Sequence, residues 1–208
     1  MRTAIRRSPA ALLSSQAGAV FVEEAGWEIP ASYGDDGAER EAIRRAVAIS
    51  DITARGKVDL QGGVDRALSA VTGTLVARVA GDWALVLGGP GEETKLLAAL
   101  RAAAGETDMV TDATHLFAGF ALAGPRLPGL LERTTSWDVA RLAPGEATGA
   151  PIVEIRSVMV RRDVPIPLLE VYVATESARY AWETLAGVAA RMGGGPAGWQ
   201  ALREEGWS

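Results

Sequence analysis

The 208-residue chain contains no cysteine. Disulfides, thiolate nucleophiles and cysteine-ligated metals are excluded together, and the composition fits a cytoplasmic protein. Histidine occurs once, at His115, so the three or four ligands of a zinc site are missing. No acidic series has EF-hand spacing. There is no G-x-S-x-G, and no Ser-His-Asp set stands out. GGPGEETK at 88–95 has the glycines of a phosphate loop but not the Gly-Lys-Ser/Thr ending, so it reads as a turn into a helix. RMGGGPAG at 191–198 likewise lacks the G-x-G-x-x-G order of a dinucleotide loop. His115 as a general base is weighed against a histidine at a strand edge, which is the commoner case. No catalytic residue and no metal ligand is assigned.

Long apolar runs are also missing. No segment approaches the roughly 20 residues of a membrane helix. The opening MRTAIRRSPAALLSSQAGA carries only AALL before serine and glutamine, too short for the core of a signal peptide. Lysine is scarce, with only Lys57 and Lys95 among 21 basic residues, and the net charge is −5. An acidic balance without a basic face makes nucleic acid an unexpected partner, and no membrane is expected either.

What is present is a globular balance, 48% hydrophobic and 23% charged, which allows a sizeable core. Apolar residues at helical spacing predict helices over 9–16 (with Ser8 as N-cap), 37–49, 92–105 and 176–193, with shorter ones near 63–73, 125–135 and 197–207. Alternation predicts strands at 57–61, 74–80, 83–89, 108–114, 116–124, 151–163 and 166–174, with a Gly81-Asp82 hairpin. Hairpins mixed with crossover helices argue an α+β fold with mostly antiparallel sheets, built from one or two ferredoxin-like βαββαβ units. The chain, 1–208, reads as one domain with a soft division in the loop PGEATGAP at 144–151. The segment 21–41, FVEEAGWEIPASYGDDGAERE, fits neither a clean helix nor a clean strand. It places Trp27 and Tyr33 in an arm that either packs onto the core or lines a pocket.

Residues 21–62 resemble the N-terminal signature of the glycine cleavage T-protein (aminomethyltransferase) family. The resemblance is carried by Gly26, Trp27, Pro30, Tyr33, Arg44, Asp51, Gly56, Lys57, Val58 and Gly62. FALAGPR at 120–126 is similar to the family's strand–GP–helix element, and LEVYVATESARYAWETL to its late strand and helix. PAGWQALREEGW is similar to its closing segment. The family continues into a C-terminal barrel that this sequence does not include. The resemblance implies the folate-binding α+β fold, tetrahydrofolate as cofactor, and transfer of one-carbon units between an amine-bearing substrate and folate. Trp27, Tyr33, Asp51 and Glu170 are the residues it implies for the cofactor.

The family's acidic positions are eroded here. Gly73 and Thr74 stand where the family has its acidic pair, and Ile166 falls near a second lost acid; Glu170 matches the last glutamate of that second motif. Neither glycine nor threonine positions a proton as a carboxylate does. The short γ subunit of heterotetrameric sarcosine oxidase is similar in this respect. The chain resembles it through Arg6, Arg7, Ser8 and Pro9, and through Asp138, Pro144 and Gly145 in the second half. This resemblance implies a non-catalytic accessory subunit, with other protein subunits or further copies of itself as partners. It also implies an exposed apolar patch involving Trp137, Trp199 and Trp207. The alternative is a tetrahydrofolate-dependent aminomethyl- or methyltransferase. A folate-dependent repair factor ranks last, because that branch carries a reactive cysteine.

Overall fold

The computed structural model describes residues 4–208; the opening Met1–Thr3 of the basic segment lies outside the described residues. The chain begins with a short strand β1 (Arg6–Arg7) and a helix α1 (Ala11–Gln16). The Ser8 hydroxyl accepts from the Ala10 N–H at 3.1 Å, just ahead of that helix. The puzzling arm is a hairpin. Strand β2 (Val20–Glu24) turns at Ala25 and Gly26 into β3 (Trp27–Ser32), and β1 joins β3 on its other side. Both turn residues have positive φ, 49° and 77°, the geometry of a tight two-residue hairpin. Helix α2 (Asp36–Arg45) is capped by the Asp35 carboxylate, which accepts from the Ala38 N–H at 2.9 Å.

The helix expected to run to residue 49 stops four residues earlier. Ala48–Asp51 is a strand, β4, and it lies inside a sheet rather than on a helix face. All four of its residues are buried, so it shows no period-two pattern, and pairing with a neighbour overrides the local helical stripe.

Next come β5 (Lys57–Gln61), α3 (Val64–Leu68), β6 (Leu75–Ala80), β7 (Trp83–Leu87), α4 (Glu93–Ala103) and β8 (Met109–Asp112). Their antiparallel sheet has the order β6-β7-β5-β8, the ferredoxin-like arrangement. A second unit follows: β9 (Phe117–Ala123), α5 (Leu127–Thr134), β10 (Ala147–Ile152), β11 (Ile155–Arg161), β12 (Leu168–Ala174) and α6 (Ala178–Arg191). Here β11-β12-β9 repeats the same order, and β4 takes the fourth place, antiparallel to β9. Two-residue β13 (Gly195–Pro196) pairs parallel with β4, and α7 (Trp199–Glu204) ends the described elements.

Residues 151–163 were expected as one strand and 144–151 as a loop; the two regions instead supply the antiparallel pair β10–β11. The turn between them is Val153-Glu154, with φ of 45° and 66°. Residues of these types seldom adopt positive φ, so no turn signal was written into the sequence.

Side-chain alternation builds four layers. Val58, Leu60, Ala84 and Val86 face helices α3 and α4. Phe120, Leu122, Leu169, Val171 and Val173 face α5 and α6, where Trp182 packs at 5.6 Å from Phe120. The opposite faces of both sheets meet each other: Leu85 and Leu87 from one, Val158, Val160 and Tyr172 from the other. Trp27, Ile29, Trp199 and Trp207 close this inter-sheet core. Of the three tryptophans expected on an exposed patch, Trp137 is exposed, whereas Trp199 and Trp207 are 2% and 4% exposed. Both are amphipathic rings whose N–H groups find acceptors inside the protein, which makes burial favourable.

Candidate functional site

Along β12, residues 168, 170 and 172 point to the inter-sheet face. Leu168 and Tyr172 suit that face; Glu170 does not, because an unpaired buried carboxylate is costly. Glu170 is 0% exposed and fully partnered. Its Oε1 accepts from Arg162 at 2.5 Å, from the Trp207 indole N–H at 2.7 Å and from Arg55 at 3.1 Å. Its Oε2 accepts from the Tyr172 hydroxyl. Burial on its own would raise the carboxyl pKa; the guanidinium groups of Arg55 and Arg162, with the Tyr172 and Trp207 donors, outweigh it and hold the pKa below the usual carboxylate range. For Tyr172, burial and then the adjacent Glu170 charge push the phenol well above its ordinary pKa.

The two arginines form the inner wall of a cleft of about 970 Å³. Its rim comes from the α3–β6 loop (70–74), the β7–α4 loop (88–92), helix α4, and α7 with the residues that follow it. Arg55 also donates to the Gly88 carbonyl at 3.2 Å. Arg55 and Arg162 each donate to the main-chain oxygen of Ser208, at 3.1 and 3.0 Å. Trp207 lies edge-on to Trp199, with ring centres 4.8 Å apart, and the Arg55 guanidinium sits 5.4 Å from its centre. Chemically, the cleft offers fixed guanidinium charge, aromatic surface and the carboxylates of Glu24, Glu92 and Asp163; the Glu170 carboxylate behind the arginines is fully buried and accepts from four internal donors.

Glycine sets this arrangement. Helix α7 ends in a Schellman turn: the Gly206 N–H bonds to the Arg203 carbonyl at 3.1 Å, and the Trp207 N–H to that of Leu202 at 3.3 Å. Gly206 has φ of 92°, a conformation that costs a residue with Cβ about 1–2 kcal/mol. The turn throws Trp207 back beneath α7 and into the cleft wall.

Of the four residues named for the cofactor, Glu170 stands behind the cleft, while Tyr33 and Asp51 lie within electrostatic reach of each other elsewhere. Trp27 is 2% exposed on β3, stacked at 5.3 Å on His115 with Arg6 5.0 Å from its centre, and its Nε1 has no hydrogen-bond partner among the described residues. His115 itself is exposed, in the turn between β8 and β9. Tyr33 is half-buried against the helix-side core; its hydroxyl donates to Ser14 at 3.1 Å and its N–H to Glu39 at 2.6 Å. Asp51 is buried at the end of β4, where one carboxylate oxygen accepts from the Thr53 N–H at 3.0 Å; burial raises its pKa. Trp27, Tyr33 and Asp51 are not part of the cleft wall, and Glu170 stands directly behind it. Gly73 and Thr74 line the rim, while Ile166 packs against the inter-sheet core.

Sequence reasoning missed Arg55 and Arg162 as site residues. One signal was available: a glutamate inside the otherwise apolar LLEVYVA needs buried cationic partners, although nothing local says which. It also missed the state of Lys57. That amine is 0% exposed and donates to the carbonyls of Thr53 and Arg55, each at 2.8 Å, and of Thr114 at 3.3 Å. Burial lowers its pKa to about 7, with Asp51 pulling it back up and Arg55 pushing it further down. Among the described residues, no cluster of acidic or histidine side chains could hold a metal ion, and no helix is long and apolar enough to cross a membrane.

No protein-family model matches this chain. The curated relatives include an aminomethyltransferase of Cutibacterium acnes, 27% identical over 88% of this chain and 59% of the relative. A Streptomyces coelicolor aminomethyltransferase is 25% identical over 94% of this chain and 60% of that protein. The chain thus spans about three fifths of the length of the curated relatives it matches. Among solved structures, the glycine cleavage system aminomethyltransferase T from Bartonella henselae superposes with a TM-score of 0.81 at 18% identity, over 97% of this chain and 62% of that one. A chain of the heterotetrameric sarcosine oxidase from Corynebacterium sp. U-96 superposes with a TM-score of 0.67 at 17% identity, over 90% of this chain and 96% of that one. The chain is related to the glycine cleavage T-protein and folate-binding superfamily, and it has that superfamily's mixed α+β fold with antiparallel sheets.

Proposed function

We propose that this chain is a non-catalytic accessory subunit of a sarcosine-oxidase-like assembly in one-carbon metabolism, working in the cytoplasm as a single folate-binding-type domain over 1–208. One observation carries the reading. Glu170, the acid that the resemblance implies for the pterin, is fully buried behind the cleft wall and already accepts from four internal donors; the acids on the wall itself are Glu24, Glu92 and Asp163, none of them named by the resemblance. The rim positions Gly73 and Thr74 supply no proton-handling acid either. The related chain of like length comes from a heterotetramer, and the reading extends that setting to this protein.

The test is reconstitution. The tagged chain is expressed with and without the companion subunits of a heterotetrameric sarcosine oxidase, and complexes are sized by chromatography. Stoichiometric co-elution, with oxidase activity that falls when this chain is left out, is the expected result. Activity unchanged by its omission, and no co-elution, would defeat the proposal.

A second reading, a tetrahydrofolate-dependent aminomethyltransferase, has one observation in its favour. The cleft, about 970 Å³, is large enough for a folate, and its wall carries Arg55, Arg162, Arg203 and Lys95 beside Glu24, Glu92 and Asp163. In that case Trp27, Tyr33, Asp51 and Glu170 act from behind the wall, and only Glu170 is placed to do so through groups that line it.

A further inference from the structure

We infer that Trp207 and Ser208 act as a built-in ligand, closing the cleft against small molecules unless the segment after α7 swings out. This rests on the second reading above, in which the cleft is the size of a folate, and it goes further in naming what occupies it.

The two residues present three features at once. Trp207 offers a flat bicyclic ring whose N–H edge donates to Glu170 at 2.7 Å. The same ring lies against the Arg55 guanidinium on one side and Trp199 on another. Ser208 offers an oxygen that takes a hydrogen bond from each arginine. A ligand competing for these groups therefore needs a bicyclic heteroaromatic ring with an N–H edge and an acceptor oxygen nearby. Both residues line the open cleft as well as the buried cluster, so incoming ligand and built-in occupant meet at one wall. The pivot is Gly206, whose backbone already sits in the left-handed region and whose nearest outside neighbour to an added Cβ is Pro165 at 3.5 Å. Rotation there moves Trp207 at the cost of its N–H bond to the Leu202 carbonyl.

Burial of Trp207 makes the open form rare. An occupant that leaves only about 1% of the time weakens the apparent affinity of a competing ligand about a hundredfold. Three proteins test this: the intact chain, Trp207→Ala, and Trp207→Phe, which keeps a ring but frees the Glu170 acceptor. Each is checked for a cooperative thermal melt and then titrated with folinic acid by calorimetry. Trp207→Ala is expected to bind about a hundredfold more tightly than the intact chain, and Trp207→Phe at least about tenfold. If Trp207→Ala does not fold, Trp207→Phe decides alone. Equal affinities, or no binding by the folded variants, overturn the inference. Turnover assayed on the same samples keeps the two claims apart: turnover by the intact chain defeats the accessory reading, whereas the affinity comparison alone decides the built-in ligand.

Discussion

Replacing Glu170 by glutamine keeps the side chain's shape and removes its charge. Four donors now converge on it: two guanidiniums, an indole N–H and a phenol. Glutamine has one oxygen to accept them, and its amide turns two further donors toward groups that are donors themselves. Arg55 and Arg162 are left as neighbouring buried cations, with side chains only 6% and 11% exposed. Removing one partner of a buried ion pair costs about 3–5 kcal/mol, because the remaining charge loses its compensation. With a urea dependence of about 3 kcal/mol per molar, near the upper end for a chain of this size, the unfolding midpoint should fall by roughly 1–2 M. The slope itself should not change. A pH series adds a second reading. The Glu170 pKa is lowered in the folded protein, so its contribution is complete above the unfolded carboxyl pKa of about 4.5 and is lost as pH falls below it, through the folded pKa. Glu170→Gln should lose this acid-side dependence. A midpoint within a few tenths of a molar of the parent protein, or an acid limb identical to it, would refute the argument that this carboxylate anchors the two arginines.

Three further expectations follow from the same cores. Trp27→Ala should lower stability by about 3–5 kcal/mol in a denaturant melt, as the loss of a buried large aromatic does, and a melt unchanged from the parent would contradict its packing role. Lys57 binds its proton less tightly folded, with a pKa of about 7, than unfolded, so stability should climb as pH rises from 7 toward 10.5; Lys57→Met should flatten that climb, and a slope that survives the substitution would contradict the assignment. Gly198→Ala should fail to give soluble folded protein, because its Cβ would lie 2.1 Å from the Ala31 carbonyl oxygen, where α7 crosses β3; normal expression and melting would show that the crossing can widen.

The parts of the fold that were legible in sequence have one face on helices and one on the other sheet. In β5 the alternation of Val58 and Leu60 with Lys57, Asp59 and Gln61 survives, because the inter-sheet face there tolerates polar side chains. The illegible parts have a common physical cause. Strand β4 is buried on both faces, and its apolar Ala48 and Ile49 continued the stripe of the preceding helix. The β10–β11 turn uses Val153 and Glu154 at positive φ, against their preference, because strand pairing on both sides holds them there. The hairpin of the arm had its signal in Ala25-Gly26, but Pro30 inside β3 weakened the strand pattern. At the site, Glu170 was visible as an acid in an apolar strand. Arg55 was not, because it lies 115 positions away and meets Glu170 only when the two sheets close on each other. Trp199 and Trp207 read as surface anchors; what buries them is the Schellman turn and acceptors supplied by Asp51 and Glu170 from distant strands.

The measurement that bears most directly on the accessory role is turnover by the isolated, folded chain. The purified protein is given tetrahydrofolate and an aminomethyl donor, and formation of methylenetetrahydrofolate is followed against a protein-free blank. A rate equal to the blank is predicted from the proposed accessory role, since Glu170 is buried and already accepts from four internal donors. A rate above the blank that disappears in Glu170→Gln, while that variant still melts cooperatively, would contradict it.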